Sequence, residues 1–560
     1  MTAGADTAAI DQAAVDNDVV LEVRDLSVEF QVGGTAVPAV SGVSFAVHRG
    51  EVLALVGESG SGKSVSSLSV LGLLAPNARV QGSIRFNGGE ISQLRGEPLR
   101  ALRGKRIAMI FQEPMTALNP VYTIGQQIIE AIRSHENVTE KKARERALQL
   151  LRLVEIPEPE RRMNSYPHQL SGGQRQRAMI AMAVSGSPDV IIADEPTTAL
   201  DVTVQADILD LLRRLQKDLG AAVLLITHDM GVVADLADRV VVMRSGTVVE
   251  AAPVRQIFEK PEAEYTAQLL AAVPRPSAQQ EAQSASDREL SVEVSGLDVV
   301  YPGGLGRKHF HAVHRVDLAI RRGSVHGLVG ESGSGKSTIG RAIAGLLRPA
   351  AGTVRIGGID PYSASRADRR RLRRSYSMVF QDPGSSLNPR LSIGDSVAAP
   401  MQINKFGSRT EIRNRVSMLL DSVEISSGWA DRFPHELSGG QRQRIGIARA
   451  LALDPEFLIA DEPTSALDVS VQATVLALLS ELQERLGFSC LFISHDLAVI
   501  ELLSDQVTVL QHGRVVESGP AGSVLRSPSS DYTKRLIAAA PVPDPVAQAE
   551  RRRAWQAMSA

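Results

Sequence analysis

One internal repeat constrains the fold of this chain more than any other feature. The segment GESGSGKS occurs at residues 57–64 and 330–337, and LSGGQRQR occurs at 170–177 and 437–444. ADEPT (193–197 and 460–464) and a His-Asp pair that ends an apolar run (His228 and His495) follow in the same order. The last three pairs are each 267 residues apart, far beyond the roughly 20–50 residues of a solenoid repeat. Each copy is therefore predicted to be a whole domain.

The repeat divides the chain into two domains, at residues 19–273 and 291–540. The segment between them, 274–290, is rich in Ala, Gln and Ser, cannot bury a core and is predicted to be a flexible linker. Residues 1–18 are similar in character and are expected to be disordered. The tail, 541–560, is also expected to be loosely ordered, with the arginines at 551–553 in solvent rather than on lipid or a partner.

Strand, loop and helix signals alternate within each copy. EVLALVG and SVHGLVG are short apolar runs typical of buried strands, and each leads into a glycine-rich loop. SVSSLSVLGLL and STIGRAIAGLL follow these loops with helical spacing, and PDVIIADE and PEFLIADE are further buried-strand runs. Such units predict an α/β fold with a largely parallel sheet in each copy.

Composition excludes several classes of protein. Lys and Arg number 61 against 63 Asp and Glu, so no global positive field draws the chain to nucleic acid or anionic lipid. The one cysteine, Cys490, excludes an internal disulfide, a Cys-only zinc site and a protein-ligated iron–sulfur cluster, and suits a cytoplasmic protein. No run of about 18 apolar residues occurs, and the start lacks the basic-then-apolar order of a secretion signal. We therefore expect that this chain is not an integral membrane protein.

The pattern GxxxxGK[ST], placed between a strand and a helix, predicts a phosphate-binding loop in each copy. Its glycines let backbone N–H groups turn toward the phosphates, and the helix N-terminus adds positive potential. Lys63 and Lys336 would reach the β- and γ-phosphates. Ser64 and Ser337 would offer hydroxyl groups to Mg²⁺.

Paired carboxylates end the PDVIIADE and PEFLIADE strands. Asp194 and Asp461 stand where a carboxylate holds Mg²⁺, usually through water. Glu195 and Glu462 follow at the next position, where a carboxylate can polarise the attacking water. His228 and His495 end the next apolar run, where an imidazole can meet the γ-phosphate. These four residues, two glutamates and two histidines, are the predicted catalytic groups.

Together these motifs resemble the nucleotide-binding domains of ATP-binding cassette (ABC) transporters, and LSGGQ is the most specific of them. The resemblance covers about residues 20–272 and 291–540. It implies an α/β fold of two tandem P-loop domains, each with a largely parallel sheet and a helical subdomain that carries LSGGQ. It also implies that the chain is an ATPase with ATP and Mg²⁺ as cofactors.

The resemblance assigns further residues to the nucleotide sites. Phe30 and Tyr301 match an aromatic that stacks on adenine, Gln112 and Gln381 match a loop that senses Mg²⁺ and the membrane partner, and Asp201 and Asp468 match a loop that crosses the dimer interface. The nucleotide-binding set implied is Phe30, Gly57, Ser59, Gly60, Ser61, Gly62, Lys63, Ser64, Gln112, Ser171, Gly172, Gly173, Gln174 and Asp201, with Tyr301, Gly330, Ser332, Gly333, Ser334, Gly335, Lys336, Ser337, Thr338, Gln381, Ser438, Gly439, Gly440, Gln441 and Asp468. The implied metal ligands are Ser64, Gln112, Asp194, Ser337, Gln381 and Asp461.

The family's head-to-tail geometry implies that each ATP site needs parts of both copies. Site one would combine Lys63, Asp194, Glu195 and His228 with Ser438 and Gly440, and site two would combine Lys336, Asp461, Glu462 and His495 with Ser171 and Gly173. Glycines at a helix start suit this task because backbone N–H groups can approach an anion closely.

Narrower matches resemble the ATPases of dipeptide, oligopeptide and nickel importers. FQEPMTALNP and FQDPGSSLNP, YPHQLSGG and FPHELSGG, and the domain ends EYTAQLLAAVP and DYTKRLIAAAP carry this resemblance. It implies a motor for peptide uptake, peripheral on the cytoplasmic face of the membrane, that works with two permease subunits and an extracytoplasmic solute-binding protein. Two departures stand out: the cysteine cluster found in many such importers is missing, and Val65 replaces the threonine that Thr338 supplies in the second loop.

Two alternatives stay open at this point. The cargo could be nickel, glutathione or another small solute, because the motor does not touch it. A soluble two-cassette ATPase acting on ribosomes or DNA is the second class, although its long charged arm or zinc cysteines are not found here. The basic run at 365–375 is read as a solvated helix face rather than a nucleic-acid site, since few aromatics accompany it.

Overall fold

The computed structural model describes residues 18–198, 200–274, 288–303, 309–381, 386–464 and 467–559. The described residues form two compact units. The first unit takes those up to Thr198 and Asp207–Ala267, and the second takes those of Ala199–Ala206 and Gln268–Ala560. The sequence placed the end of the first domain at residue 273, and the first unit ends at Ala267. Most of the predicted linker and the first 17 residues lie outside the described residues.

The secondary structure of the first part of the chain follows the strand, loop and helix order of the sequence. Its strands are β1 (Val19–Val32), β2 (Thr35–His48), β3 (Val52–Val56), β4 (Ala78–Phe86), β5 (Gly89–Glu90), β6 (Ile107–Ile110), β7 (Val190–Asp194), β8 (Ala222–Ile226), β9 (Arg239–Arg244) and β10 (Thr247–Pro253). Its helices are α1 (Lys63–Val70), α2 (Glu97–Leu102), α3 (Pro114–Ala117), α4 (Ile124–His135), α5 (Glu140–Leu153), α6 (Pro159–Arg162), α7 (Gly172–Ala183), α8 (Val202–Leu219), α9 (Met230–Leu236), α10 (Val254–Glu259) and α11 (Glu264–Ala271).

The later part of the chain follows a similar order, with some of the short elements missing from the described residues, and ends with one additional helix. Its strands are β11 (Leu290–Tyr301), β12 (Phe310–Arg321), β13 (Val325–Gly330), β14 (Ala351–Ile356), β15 (Tyr376–Val379), β16 (Phe457–Asp461), β17 (Ser489–Ile493), β18 (Gln506–Gln511) and β19 (Arg514–Pro520). Its helices are α12 (Lys336–Ile343), α13 (Arg366–Ser375), α14 (Ile393–Ile403), α15 (Arg409–Ser422), α16 (Gly439–Ala450), α17 (Val469–Leu486), α18 (Leu497–Leu503), α19 (Ala521–Arg526), α20 (Asp531–Ala539) and α21 (Pro545–Ser559).

A six-stranded sheet of order β10-β9-β3-β8-β7-β6 forms the centre of the first unit. All its neighbouring pairs are parallel except β9 and β10, which form an antiparallel hairpin. Every residue of β3, β7 and β8 is buried, which explains why these strands are continuous apolar runs. A second, antiparallel sheet of order β2-β1-β4-β5 packs its apolar side chains into the same core as β3. The predicted α/β fold with a largely parallel sheet is confirmed.

The second unit repeats both sheets. Its large sheet has the order β15-β16-β17-β13-β18-β19, parallel apart from the final hairpin, and its small sheet has the order β12-β11-β14. In both large sheets the strand that leads into the phosphate loop is separated from the carboxylate-bearing strand by a single strand. The carboxyl ends of parallel strands meet at one edge of a sheet, so this order gathers the motif residues of each unit at that edge.

The LSGGQ segments lie at the starts of α7 and α16, which belong to the helical groups α4 to α7 and α14 to α16. Ser171 is the N-cap of α7, where its side chain accepts a hydrogen bond from the backbone N–H of Gln174, and Ser438 caps α16 in the same way through Gln441. Each is a complete capping box, which satisfies backbone donors that a helix start leaves unpaired. The second glycine of the α16 segment is packed tightly: a Cβ on Gly440 would lie 2.2 Å from a methyl carbon of Val471.

The expectation of a loosely ordered C-terminal tail is wrong. Residues 545–559 form α21, and Trp555, only 4% exposed, packs into the main core of the second unit. The Arg535 guanidinium lies 5.7 Å from the centre of the Trp555 ring. Arg551 donates to the backbone oxygens of Ile537 and Ala540, so it is a helix-capping group rather than a solvated charge. The apolar surface of one tryptophan and this cap hold the tail in place.

Two smaller expectations are confirmed by the structure. The basic run forms α13, in which Leu372 is the buried residue. Cys490 is buried in β17, and burial raises the pKa of its thiol to about 12, so it is the small apolar core residue expected from the sequence. None of the helices in the described ranges is long and apolar enough to span a bilayer.

Candidate functional site

The phosphate loop of the first unit connects β3 to α1. Gly57 has φ 148° and Gly62 has φ 97°, a backbone region that favours glycine. A Cβ on Gly57 would lie 2.2 Å from the backbone oxygen of Met243, so no side chain fits at the start of this loop. Gly330 in the second unit has the same φ within a degree and a 2.2 Å approach to the backbone oxygen of Leu510. These glycines hold the start of each loop against the neighbouring strand.

The loop lysines are buried and directed along the loop. Lys63 is 6% exposed, and its Nζ donates to the backbone oxygens of Gly57 (2.7 Å) and Glu58 (2.8 Å). Lys336 Nζ donates to Gly330 (2.6 Å) and Glu331 (2.9 Å) in the same way. Burial lowers the pKa of Lys336, while surrounding carboxylates oppose that change. Each ammonium group is therefore held at the mouth of its loop, within a shell of acceptors that a phosphate could replace.

A serine and an aspartate meet behind each loop. Ser64 Oγ donates to Asp194 Oδ1 at 3.1 Å, and Ser337 Oγ donates to Asp461 Oδ1 at 2.8 Å. Burial raises the pKa of Asp194 to about 6, and the nearby charge of Glu195 adds to this rise. Burial raises the pKa of Asp461 as well. A hydroxyl and a buried carboxylate form an oxygen-only donor set, which is the set that Mg²⁺ prefers, so these residues fit the metal that the sequence implies.

The glutamate after each aspartate is fixed by several polar groups. Glu195 Oε1 lies 3.0 Å from His228 Nδ1, and Glu195 Oε2 accepts from Gln112 Nε2 (2.6 Å) and Thr198 Oγ1 (2.8 Å). Burial would raise the pKa of Glu195, but the His228 interaction, the Thr198 hydrogen bond and the charge of Lys63 together lower it. The carboxylate is therefore ionised and aimed by its partners.

The second unit builds the same arrangement around Glu462. Its Oε2 lies 3.3 Å from His495 Nδ1 and accepts from Gln381 Nε2 at 2.9 Å. Burial would raise the pKa of Glu462, but His495 and Lys336 outweigh it and the pKa is lowered. Burial would lower the pKa of His495, but Glu462 and Asp496 raise it. The predicted glutamate, histidine and glutamine residues are thus brought together in both units.

The backbone at both glutamates is unusual. Glu195 has φ 47° and Glu462 has φ 46°, the left-handed region that non-glycine residues rarely adopt. Their N–H groups still bond to Ile226 (2.8 Å) and Ile493 (2.9 Å) of the adjacent strand. The strained turn therefore ends the strand abruptly and directs the carboxylate toward the histidine. Such strain is retained where the surrounding structure fixes it and is common at catalytic positions.

The aromatic positions differ between the units. Tyr301 Oη lies 3.3 Å from Thr338 Oγ1 of the phosphate loop, so the predicted adenine-stacking residue does lie beside the loop. Phe30 and Val65, which replace this tyrosine and threonine in the first unit, are apolar and pack against one common core cluster. The two positions that hold a tyrosine and a threonine in the second unit are therefore both apolar in the first unit, where Val65 is accompanied by Phe30.

The two aspartates of TALD and SALD have different surroundings. Asp201 belongs to the second unit, where its carboxylate accepts a hydrogen bond from the backbone N–H of Ser332, and burial raises its pKa. Thr203 of the same short segment donates to Glu331 at 2.8 Å. Asp468 is the N-cap residue of α17, and its backbone oxygen accepts from the N–H of Gln472. Ser171, Ser438 and the glycines after them cap and begin their helices, and their contact with a γ-phosphate stays a prediction.

Sequence reasoning missed three residues of these sites. Thr198 bonds to the predicted catalytic glutamate, as described above. Tyr265 on α11 accepts a hydrogen bond at 3.4 Å from the N–H of Glu58, and Tyr532 on α20 accepts one at 3.3 Å from the N–H of Glu331. A signal for the tyrosines was present, because both domain ends contain the dipeptide Tyr-Thr. Their contact with the phosphate loops could not be deduced, since more than 200 residues separate the partners.

Comparison with protein families places these sites in a known context. Residues 40–198 and 313–465 match the family described as "ABC transporter". Residues 249–294 and 516–559 match the family described as "Oligopeptide/dipeptide transporter, C-terminal region", and the second range includes all of α21.

Several curated proteins are similar over nearly the whole chain. The "Oligopeptide transport ATP-binding protein OppD" of Mycobacterium tuberculosis is 44% identical, covering 94% of this chain and 99% of that protein. The "Glutathione import ATP-binding protein GsiA" of Pectobacterium atrosepticum is 47% identical (94% and 90%). The "Peptidoglycan transport ATP-binding protein YejF" of Agrobacterium fabrum is 48% identical (93% and 96%).

Proposed function

Since this chain belongs to the ATP-binding cassette transporter family and is an ATPase of its importer group, we propose that it powers the uptake of peptide-class solutes through separate membrane permeases. The observation that carries the chemical part of this proposal is the pair of phosphate loops, each with a buried lysine, a Ser–Asp pair and an ionised glutamate held by histidine and glutamine.

The residues of each site divide the work of ATP hydrolysis. The loop N–H groups and Lys63 or Lys336 hold the phosphates by charge-assisted hydrogen bonds. Ser64 with Asp194, and Ser337 with Asp461, would hold Mg²⁺, which neutralises charge on the phosphate oxygens when bound. Gln112 and Gln381 reach the glutamate carboxylates and are proposed to complete the same metal shell.

Glu195 and Glu462 are proposed to polarise the attacking water. A carboxylate acts as a general base only when it is ionised, and His228 together with Thr198 keeps the pKa of Glu195 low despite burial. The water gives a proton to the glutamate carboxylate as its oxygen bonds to the γ-phosphorus, the bond between that phosphorus and the oxygen bridging it to the β-phosphorus breaks, and ADP and inorganic phosphate are released. The histidine orients the glutamate and is proposed to contact the γ-phosphate when ATP is bound.

We extend the proposal to composite sites, as the family resemblance implies. Site one would pair the first phosphate loop with Ser438 and Gly440, and site two would pair the second with Ser171 and Gly173. Support comes from the helix starts themselves, since a capped glycine N-terminus presents backbone N–H groups and positive potential to an anion.

The composite arrangement has a directional test. Ser438→Arg places bulk and charge at the second signature and should block nucleotide trapping on the loop that contains Lys63. Photo-crosslinked nucleotide, located after cleavage within residues 274–290, reports which loop is occupied. Ser171→Arg is the matched control and should affect the loop with Lys336. Trapping lost on the signature's own loop would refute the composite sites.

The transport part of the proposal depends on the relatives and the C-terminal family match. Proteins named for oligopeptide, glutathione and peptidoglycan transport share 44–48% identity with this chain, and their cargoes share peptide bonds. We propose two permease subunits, an extracytoplasmic solute-binding protein, and a peripheral position on the cytoplasmic membrane face. Glutathione, itself a tripeptide, is the second candidate cargo because its named relative is 47% identical.

Reconstitution tests the function directly. The chain and its permeases in lipid vesicles should show ATPase activity that rises when binding protein loaded with an oligopeptide is added, and glutathione in its place distinguishes the two cargo classes. The double variant Lys63→Ala, Lys336→Ala should lose both activity and stimulation. Stimulation by ribosomes or DNA, with none by the permeases, would contradict transport.

A further inference from the structure

Three histidines occur within six residues of the second unit, in the segment HFHAVH at 309–314. Only 11 histidines occur in the whole chain, so this density is a local feature of the sequence. Short histidine-rich segments of this kind are typical of metal-binding sequences. None of the three takes part in the nucleotide chemistry described above.

Two of these histidines meet a carboxylate across neighbouring strands. His311 on β12 has its Nε2 2.8 Å from Oδ1 of Asp298 on β11, and the His311 and His314 rings have centroids 3.8 Å apart. One ligand atom from each of the three residues lies within 4.8 Å of the other two. Asp298 and His314 are half-buried and His311 is exposed, so solvent can reach the cluster from one side.

The three side chains are of types that bind divalent transition metals. Imidazole nitrogens and carboxylate oxygens are both ligands of Zn²⁺. Oδ1 of Asp298 also accepts a hydrogen bond at 3.3 Å from the N–H of Arg315, which holds the carboxylate in place beside His311.

The first unit has the same backbone contacts but none of these side chains. The N–H of Ser41 donates to Gly246 at 2.7 Å, as that of His314 does to Gly513, and the N–H of Gly42 donates to Ser27 Oγ where that of Arg315 donates to Asp298. Ser27, Pro38 and Ser41 therefore stand where the second unit has its aspartate and two histidines. The fold does not require this cluster.

We propose that Asp298, His311 and His314 form a binding site for Zn²⁺ or a similar divalent transition metal. Two imidazoles and one carboxylate, with the fourth position open to solvent, match a common zinc ligand set. Bonds of about 2.0–2.1 Å in a tetrahedron separate ligand atoms by about 3.3 Å. The ligand atoms of Asp298 and His311, 2.8 Å apart, would separate by about half an ångström, and that of His314, within 4.8 Å of both, would approach by at most about 1.5 Å. The metal would join β11 to β12. This site is independent of ATP hydrolysis.

Binding is measured on the full chain, without nucleotide and with any histidine tag removed. Co²⁺ gives visible d–d absorption when four-coordinate, and equilibrium dialysis with Zn²⁺ gives the stoichiometry. Wild type should bind one equivalent with the cobalt spectrum and should melt at a higher temperature with Zn²⁺. His314→Ser and Asp298→Ser, which install the residues of the first unit, should each weaken binding by about 10–100-fold or more.

Controls separate this site from other metal-binding groups. His435→Ala removes an exposed histidine elsewhere in the second unit and should leave the cobalt spectrum unchanged. The triple variant Ser27→Asp, Pro38→His, Ser41→His should add a second equivalent. Circular dichroism of each variant reports folding, and His314→Ser alone suffices if Asp298→Ser does not fold. Absence of cobalt absorption in wild type, or equal affinity in wild type and the folded serine variants, would overturn the proposal.

Discussion

Asp194 illustrates how a residue suited to a metal destabilises the fold that holds it. Its carboxylate, 7% exposed, ends β7, and burial raises its pKa from 3.8 to about 6. An acid with a higher pKa in the folded chain binds more protons when folded than when unfolded. The stability contributed by the proton is therefore lost as the pH rises from about 4 to about 6. Above that pH window the ionised carboxylate lowers the free energy of unfolding of the nucleotide-free protein.

The size of this cost follows from the two pKa values. At about 1.4 kcal/mol for each tenfold change in proton affinity, the difference amounts to about 3 kcal/mol above pH 7. At pH 5, where the folded carboxyl is mostly protonated, the same linkage leaves roughly half of that cost. The bond from Ser64 and the charge of Lys63 already reduce the cost and are contained in the pKa.

Asp194→Asn should therefore stabilise the nucleotide-free protein while abolishing Mg²⁺-dependent hydrolysis. The amide keeps the size of the side chain and an oxygen that can accept from Ser64, but it carries no charge. Thermal unfolding should show a midpoint higher by at most about 6–12 °C at pH 7.5, taking roughly 2–4 °C per kcal/mol for a unit of this size, and about half that rise at pH 5. Asp461→Asn should likewise raise the midpoint of thermal unfolding of the second unit, because burial raises the pKa of Asp461 too.

The exposed residue Asp218 supplies the control. Asp218→Asn removes one negative charge from the same unit without removing a buried one, and should change the midpoint little. If Asp194→Asn were no more stable than wild type at pH 7.5, or if its gain were the same at both pH values, burial of the charge would not be the cause.

Three other predictions concern catalysis, the tail and the phosphate loop. Glu195→Gln should slow phosphate release in a single turnover by at least about 100-fold while ATP binding is retained, and an unchanged rate would exclude Glu195 as the base. Trp555→Ala should lower the free energy of unfolding of the second unit by about 3–5 kcal/mol in urea, and a loss below about 1 kcal/mol would mean that α21 does not hold the core. Tyr265→Phe removes one hydrogen bond to the N–H of Glu58 and should weaken ATP binding at the first loop by roughly fivefold. Tyr532→Phe is the matched change in the second unit. An affinity equal to that of wild type would mean that this hydrogen bond does not support the loop.

Most of the candidate site could be predicted because its residues lie in short motifs. A phosphate loop is determined by glycines, a lysine and a serine within eight residues, and the carboxylate pair follows directly after a buried strand. Two copies of each motif in one order made a chance match implausible. The ionised state of Glu195 could not be predicted, since burial and the bonds from His228 and Thr198 act in opposite directions.

The sequence by itself determined the number of cassettes, their α/β class and the identity of the groups that bind phosphate and metal, because these depend on local spacing and apolar periodicity. Tertiary structure decided the ordered C-terminal helix, since one tryptophan becomes a core residue only where another element offers it a partner. It also decided the contacts of Tyr265 and Tyr532 with the phosphate loops and the meeting of Asp298 with His311. The tyrosine contacts depend on where α11 and α20 pack beside the phosphate loops, and the Asp298–His311 pair depends on the register of β11 against β12.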